Sequence, residues 1–360
     1  MALHANPHIK NLCPVEHGGT GYAGLKDALG IMDFSTCCNP YGPPSGLRLA
    51  LRNADIETYP DTRSKHLVKA LAKNLGAAPE NVIAGSGSTE IIRLAALAYL
   101  AAGDKVIVPS PTYGEYELAG RIAGAEIIKY HLLEDRDFQM DADGFAEFTR
   151  GHNPKAVFLC NPNNPTGQLL PGEDVHRLVK GLPDTLVILD EAYLAFTQAS
   201  SGAAALISRP NVLVVRSMTK DFALAGLRLG YGLACREIID NLEKVRPPWN
   251  VSSPAQQAGI AAVGLDGYMR QSNAGIQKCS AYLARRLASL GYKIISSDTH
   301  FFLMRVGNAA DFKSRLLDKG FLVRDCSSFG LPAYVRISPR RMGDCQKLVQ
   351  AISMMAGKAG

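Results

Sequence analysis

The sequence lacks the marks of a secreted, membrane-bound or metal-binding protein. Its eight cysteines form no CxxC pair and no metal-type Cys/His spacing, so in a chain of 360 residues they indicate reduced thiols and no metal site. The amino-terminal segment has no apolar stretch typical of a signal peptide, and no apolar run is long enough to span a membrane. We therefore expect a cytoplasmic protein that has no membrane partner.

Blocks of like charge are also missing. The chain has 39 basic and 33 acidic residues, a net charge of +6, and these residues are scattered without interleaved basic and aromatic side chains. This pattern predicts no nucleic-acid partner, although a mild positive balance suits phosphorylated ligands. There is no internal repeat, and 360 residues of which 47% are hydrophobic can bury a large core in two or three domain-sized units.

Short apolar runs are present, and they alternate with helical or turn-rich segments. The runs are KVIVP, AEIIKYHL, AVFLC, TLVILD and NVLVVRS. Such runs are typical of parallel strands buried on both faces, so the sequence predicts an α/β fold with a mostly parallel sheet covered by helices. After residues 246–250 the pattern changes to long helices followed by short strands, which predicts a domain boundary near Pro254.

One lysine stands between residues that can bind phosphate. In SMTKDFALAGLRLG, residues 217–230, Ser217 lies three residues before Lys220 and Arg228 lies eight residues after it. A lysine that forms a Schiff base needs nearby cations or partial desolvation, and a phosphorylated aldehyde needs anion donors at its far end. Pyridoxal 5'-phosphate meets both demands. For this segment alone, a solvated turn is the alternative.

A glycine- and serine-rich segment supplies further phosphate donors. AGSGSTE, residues 84–90, follows the apolar run NVI and precedes a helical pattern, so Gly87, Ser88 and Thr89 would open a helix. Backbone N–H groups at the N-terminus of a helix form a phosphate site. The segment is therefore a candidate for the phosphate end of the cofactor.

Polar side chains follow two of the predicted buried strands. NPNNPTG, residues 161–167, and LDEAY, residues 189–193, lie where open α/β sheets bind their ligands, at the carboxyl ends of parallel strands. Asp190 can keep a pyridine nitrogen protonated, while Asn164 and Tyr193 can bond the ring hydroxyl oxygen. Taken singly, the alternatives are a helix N-cap for Asp190, a Pro-Asn turn at Asn164 and core packing for Tyr193.

With these motifs in this order, the chain resembles the fold-type-I pyridoxal-phosphate enzymes, in the branch of histidinol-phosphate aminotransferase and threonine-phosphate decarboxylase. The resemblance runs from about His17 to about Ile352. It implies that Lys220 forms the Schiff base, and that Lys220, Asp190 and Tyr193 are the catalytic residues. It also implies a fold with a large domain and a small α+β domain. The implied ranges are 1–45 for an N-terminal arm and part of the small domain, 46–253 for the large cofactor-binding domain and 254–360 for the small domain.

The same resemblance extends the set of cofactor-binding residues. Tyr113, in PSPTYGEY, matches an aromatic residue that stacks on the pyridine ring. Tyr59, in ETYPD, matches a tyrosine that reaches the cofactor phosphate of a neighbouring subunit, which implies a homodimer. The remaining cofactor-binding residues are Gly87, Ser88, Thr89, Asn164, Ser217 and Arg228.

Within the branch, the short motifs look more like the decarboxylase. These motifs are HGG, DFSTCCNPYGPP, RPPWNVSSPA and RDCSSFGLP, and YVRIS continues into Pro339. They imply decarboxylation of an O-phosphoamino acid, L-threonine O-3-phosphate or L-serine O-phosphate, to an amino-alcohol phosphate for cobalamin-type corrinoids. The alternative is histidinol-phosphate aminotransferase, and a non-catalytic regulator that keeps the cofactor fold is a third hypothesis.

Carried over in the same way, the residues that bind the phosphorylated amino-acid substrate are His17, Gly18, Cys37, Asn164, Arg324 and Arg336. Cys37 stands where the decarboxylase pattern has an asparagine. His17 can instead be a solvated residue of a glycine-rich arm, and Cys37 can be a packed thiol. Arg324 and Arg336 each follow apolar residues in predicted strands, and a structural carboxylate would satisfy them as well as a substrate would.

Overall fold

The computed structural model describes residues 6–10, 12–18, 30–199 and 203–356. Its largest sheet consists of β2 (Val82–Gly85), β3 (Lys105–Ser110), β4 (Glu126–His131), β5 (Ala156–Cys160), β6 (Leu186–Asp190), β7 (Val212–Ser217) and β8 (Gly230–Ala234). The strands lie in the order β2-β8-β7-β6-β5-β3-β4, and β8 is antiparallel to its neighbours β2 and β7. The five apolar runs form the parallel strands β3 to β7, so the predicted α/β fold is confirmed.

Helices cover both faces of this sheet. Successive residues of a strand point to opposite faces, so Leu189 of β6 packs into one core and Ile188 into the other. The first core also receives α1 (Ser45–Arg52), α2 (Lys65–Leu75), α5 (Ala142–His152), α6 (Gly172–Lys180), α7 (Ala203–Leu206) and α9 (Ser253–Ala262). The second core receives α3 (Ser88–Tyr99), α4 (Glu115–Ile122) and α8 (Arg236–Val245).

The carboxyl-terminal third forms a separate layer with its own core. An antiparallel sheet has the order β12 (Arg324–Asp325), β13 (Tyr334–Ile337), β10 (Phe302–Arg305) and β9 (Ile294–Ile295). Helices α10 (Asp266–Ala288), α11 (Ala309–Leu317) and α12 (Met342–Ala356) accompany it. The arm contributes β1 (Met32–Asp33), which pairs in parallel with β11 (Phe321–Leu322). This layer therefore combines an early segment with a late one.

Helix α9 begins at the predicted domain boundary, yet it packs with the large sheet. Its residues Ala255, Ala258 and Ala262 are buried in the same core as Leu189 of β6. This helix therefore contributes to the core of the larger layer. The division into residues 1–45, 46–253 and 254–360 remains a prediction.

The fold brings the predicted motifs to one edge of the large sheet. Strands β5, β6 and β7 are parallel, so the segments that follow them leave the sheet on the same side. The N-terminus of α3 and strands β12 and β13 complete the surroundings of this edge. Within the described ranges, no helix is both long and apolar enough to cross a membrane, and no group of three His, Cys, Asp or Glu side chains could hold a metal ion.

Candidate active site

A cavity of about 810 Å³ lies at this edge of the sheet. Residues from the arm, from the large sheet and from the carboxyl-terminal layer line it together. Of the predicted site residues, Gly87 and Tyr59 are not part of the lining. The predicted residues that do line it are His17, Gly18, Cys37, Ser88, Thr89, Tyr113, Asn164, Asp190, Tyr193, Ser217, Lys220, Arg228, Arg324 and Arg336.

One end of the cavity is rich in hydrogen-bond donors that can bind an anion. Helix α3 begins at Ser88, directly after Gly87, whose φ of 81° favours glycine. A Cβ atom on Gly87 would lie 2.8 Å from Nη2 of Arg228, so the missing side chain makes room for the guanidinium. A Cβ atom on Gly230 would lie 2.5 Å from the backbone nitrogen of Ser88, so a second glycine lets the helix approach β8. The helix N-terminus and a cation therefore meet at one place.

Hydroxyl groups surround the same end of the cavity. Ser217 Oγ lies 2.6 Å from Thr219 Oγ1, and Thr89 Oγ1 lies 3.3 Å from the phenol oxygen of Tyr113. Hydroxyls, backbone N–H groups and a guanidinium together are suitable ligands for a phosphate group. The geometry at this end fits the phosphate of pyridoxal 5'-phosphate.

A buried carboxylate and a lysine lie deeper in the cavity. The side chain of Asp190 accepts hydrogen bonds from the Tyr116 hydroxyl at 2.8 Å and from the Ala192 backbone N–H at 2.9 Å. Burial raises the pKa of Asp190, while the bond from Tyr116 opposes that rise. Lys220 Nζ lies 5.0 Å from the ring centroid of Tyr193. A carboxylate for a ring nitrogen and an amine for an aldehyde are thus available in one cavity.

Arg336 is held in a buried position in the deeper part of the cavity, where Lys220 also lies. Its guanidinium donates to Asn164 Oδ1 through Nη1 and to the Ser35 carbonyl oxygen at 2.8 Å through Nη2. Its Nε is buried and has no hydrogen-bond partner among the described residues. The guanidinium carbon lies 5.2 Å from the ring centroid of Phe301. These contacts fix the orientation of a cation that faces the cavity.

Arg324 is bonded by the arm of its own chain. Its Nη2 donates to the carbonyl oxygen of Glu16 and to Ser328 Oγ, both at 2.7 Å. Its Nη1 lies 3.3 Å from Glu16 Oε1. The Glu16 carboxylate therefore pairs with one nitrogen of the guanidinium for which the sequence predicts a contact with the substrate. Sequence reasoning missed Glu16 because no local pattern links it to a residue about 300 positions later.

His17 is also held by a carboxylate. Its Nε2 lies 3.2 Å from Glu115 Oε1, and the other oxygen of Glu115 accepts from Arg93 at 2.7 Å. The bond with His17, followed by that with Arg93, keeps the pKa of the Glu115 carboxyl below its usual range despite partial burial. Glu115 and Arg93 were not predicted from sequence, because each looks like an ordinary charged helix residue there.

Cys37 is a packed thiol at the cavity wall. It is buried, and burial raises the pKa of its thiol, so the neutral form is favoured. His300 Nε2 lies 3.0 Å from the carbonyl oxygen of Cys37. Burial lowers the pKa of His300 to about 3, so this imidazole is neutral and donates to that carbonyl.

Tyr59 lies outside the cavity of its own chain. Its side chain is 79% exposed, and its ring stacks on Trp249 with the centroids 4.5 Å apart. Ile56 and Leu49 are also exposed. The described chain alone therefore does not bring Tyr59 to the anion donors of α3.

Similarity to known proteins extends over nearly the whole chain. The family model "Aminotransferase class I and II" matches residues 31–352. A histidinol-phosphate aminotransferase from Moorella thermoacetica is 35% identical over 88% of this chain and 82% of its own length. The structure of histidinol-phosphate aminotransferase from Sinorhizobium meliloti in complex with pyridoxal-5'-phosphate has a TM-score of 0.88 at 25% identity, covering 100% of this chain and 99% of that one.

A decarboxylase is also among the structural neighbours. L-threonine-O-3-phosphate decarboxylase from Porphyromonas gingivalis has a TM-score of 0.82 at 29% identity, covering 90% of this chain and 99% of that one. Four curated relatives that are 32–35% identical over most of the chain are nevertheless histidinol-phosphate aminotransferases. The expectation of a phosphoamino-acid decarboxylase for corrinoid biosynthesis is therefore wrong. It relied on short motifs, whereas the aminotransferase relatives are 32–35% identical over most of the chain, above the 29% of the decarboxylase neighbour.

The donor set and the comparisons lead to the same cofactor. The cavity offers a lysine, a buried carboxylate and a cluster of phosphate donors, and the neighbour from Sinorhizobium meliloti was solved with pyridoxal-5'-phosphate. The chain belongs to the aminotransferase class I and II family, and its cofactor is pyridoxal 5'-phosphate.

Proposed function

We propose that this protein is an aminotransferase that moves an amino group between histidinol phosphate and an oxo acid. The observation that carries the choice of a phosphorylated substrate is the pair of buried arginines, Arg324 and Arg336, in the cavity that also contains Lys220. A planar guanidinium can bind a phosphate group through two parallel hydrogen bonds. The histidinol-phosphate aminotransferases among the relatives support this choice of phosphorylated substrate.

We assign the cofactor contacts from the family resemblance, and all the residues named below except Gly87 line the cavity. Lys220 would hold the cofactor aldehyde as a Schiff base, Asp190 would face the ring nitrogen and Tyr113 the ring. Asn164 and Tyr193 would bond the ring hydroxyl oxygen. The phosphate would lie among the donors at the N-terminus of α3, namely Gly87, Ser88, Thr89, Ser217 and Arg228.

The bound cofactor supplies a ring that accepts electrons from a bond at the substrate Cα. The chain supplies the proton transfers and the orientation. Asp190, a carboxyl group shielded from water, would keep a proton on the ring nitrogen. The amine of Lys220 is the base that moves the Cα proton. Arg324 and Arg336 hold the substrate phosphate, with Gly18, His17 and Cys37 forming the adjacent wall.

We also propose that the active enzyme is a homodimer. Tyr59 is exposed and stacks on Trp249, and Ile56, three residues earlier in the chain, is exposed too, which supports a contact with a second copy. In that dimer Tyr59 would donate to the cofactor phosphate of the partner. Sedimentation at working concentration should give a dimer, and a fully active monomer would contradict this arrangement.

The test of the proposed function compares two reactions. The purified enzyme with its cofactor should form glutamate from histidinol phosphate and 2-oxoglutarate, with products identified by mass. The variant Lys220→Ala should form none. In parallel, phosphothreonine without any oxo acid should release no carbon dioxide. Carbon dioxide release without glutamate formation would overturn the proposal.

A further inference from the structure

A second tyrosine lies behind the residue that we place against the ring nitrogen. Tyr116 is fully buried near the start of α4, and its hydroxyl donates to Asp190 Oδ2 at 2.8 Å. Its ring stacks on Phe158 with centroids 5.2 Å apart and planes 10° apart. It also contacts the ring of Tyr113 edge-on, with centroids 5.5 Å apart. Packing on two sides therefore fixes the direction of the hydroxyl.

The two oxygens of Asp190 each have one donor. Oδ2 accepts from Tyr116, and Oδ1 accepts from the Ala192 backbone N–H at 2.9 Å. An ionised carboxylate has about four acceptor sites, so capacity remains for a donor that enters the cavity. The two existing bonds hold the plane of the carboxylate in one orientation.

The bond from Tyr116 also affects how strongly Asp190 attracts a proton. Burial raises the pKa of Asp190, and the Tyr116 hydrogen bond acts in the opposite direction. Burial holds the pKa of the Tyr116 phenol well above its usual value, so it remains a donor across the working pH range. A carboxylate that accepts a hydrogen bond is a weaker base than a buried carboxylate that accepts none.

We propose that Tyr116 is a positioning residue that keeps the shared proton on the cofactor ring nitrogen rather than on Asp190. The inference rests on the proposed placement of that nitrogen against Asp190. Without the phenol, the buried carboxylate is a stronger base and the neutral pair, with the proton on Asp190, becomes favoured. The ring then accepts electrons less well, because its nitrogen is no longer protonated.

The test uses the holoenzyme with cofactor that carries ¹⁵N in its pyridine ring. The ¹⁵N chemical shift reports whether the nitrogen is protonated. In Tyr116→Phe the shift should move toward the value of an unprotonated nitrogen, and kcat should fall by about tenfold, the order expected for one hydrogen bond to a charged group. An unchanged shift in the folded variant would overturn the inference.

Two further variants distinguish the loss of this one hydrogen bond from a wrong placement of the cofactor. Tyr334→Phe removes a matched bond, since the buried Tyr334 donates to Glu134 Oε1 at 2.6 Å outside the cavity lining. It should leave the ¹⁵N shift unchanged. Asp190→Asn should move the shift strongly. If it does not, the proposed placement of the cofactor is wrong; if only Tyr116→Phe has no effect, the role of Tyr116 alone is wrong.

If Tyr116→Phe does not fold, a replacement that keeps a weaker hydrogen-bond donor at position 116 can be used. Replacing Tyr116 by 4-aminophenylalanine keeps the ring and provides an N–H donor to Asp190. The ¹⁵N shift should then lie on the unprotonated side of the wild-type value. A shift equal to that of the wild type would count against the proposal, because the strength of the donor would then not matter.

Discussion

Substitution of Glu16 should make the substrate bind more tightly. Its carboxylate lies 3.3 Å from Arg324 Nη1, where the phosphate of the substrate would compete with it. The Glu16 side chain is 57% exposed, so water and salt screen the ion pair. Arg324 is buried, but its exposed partner keeps the pair near the range of surface ion pairs, about 0.2–1 kcal/mol, which corresponds to a change in affinity of roughly 1.4- to 5-fold. We therefore expect Glu16→Gln to lower KM by that factor and to leave kcat unchanged.

Steady-state kinetics with histidinol phosphate at two salt concentrations would check this expectation. Salt should narrow the difference between the two proteins, because it screens the pair in the wild type. Glu117→Gln is the control, since Glu117 pairs with Arg121 and Lys129 and does not line the cavity. If KM is unchanged or rises in Glu16→Gln, the carboxylate orients Arg324 and does not compete with substrate.

Four further experiments test the site. Arg336→Lys should lower kcat/KM for the phosphorylated substrate by at least about tenfold, or roughly 1.4 kcal/mol, and an equal loss for an unphosphorylated amine would contradict a phosphate contact. Borohydride should fix the cofactor on Lys220, and an adduct on another lysine would refute the assignment. Tyr59→Phe should weaken cofactor retention by roughly 1.5–3 kcal/mol in equilibrium dialysis. Asp190→Asn should raise the melting temperature of the apoprotein at pH 7, because burial raises the pKa of Asp190 and its ionised form destabilises the fold. This increase in melting temperature should vanish below the ordinary pKa of 3.8. Equal melting temperatures of the two proteins at pH 7 would contradict the prediction.

The large sheet could be predicted because buried parallel strands leave a plain signal. Strands β3 to β7 are rich in apolar residues, so each appears as a short apolar run. Strand β8 gives no such signal, because Gly230 and Gly232 interrupt it. Glycine is required at position 230, where a Cβ atom would lie 2.5 Å from the backbone nitrogen of Ser88, and a Cβ atom on Gly232 would lie 3.0 Å from a side-chain carbon of Ile91. The need for glycine there follows from the tertiary packing, which the local sequence does not reveal.

The cavity could be predicted in part for a similar reason. Asn164, Asp190 and Ser217 follow or end neighbouring parallel strands, and the structure brings all three to one cavity. Glu16 and Tyr116 were missed because their contacts join segments far apart in sequence. Each is an ordinary residue in its local context, and only the folded chain places it beside Arg324 or Asp190.

The reaction was predicted wrongly because the two chemistries of this branch need the same side chains. Transamination and decarboxylation both use a Schiff-base lysine, a carboxylate for the ring nitrogen and arginines that bind an anion. For an amino-acid substrate, the choice depends on which bond of the Cα atom stands perpendicular to the ring, and therefore on how Arg324 and Arg336 orient the substrate; histidinol phosphate has no carboxyl group there to lose. That orientation depends on contacts such as those of Arg336 with Asn164 and Ser35. Short motifs identify these residues but do not determine the angle between a substrate bond and the cofactor ring. A motif match therefore cannot decide between the two reactions.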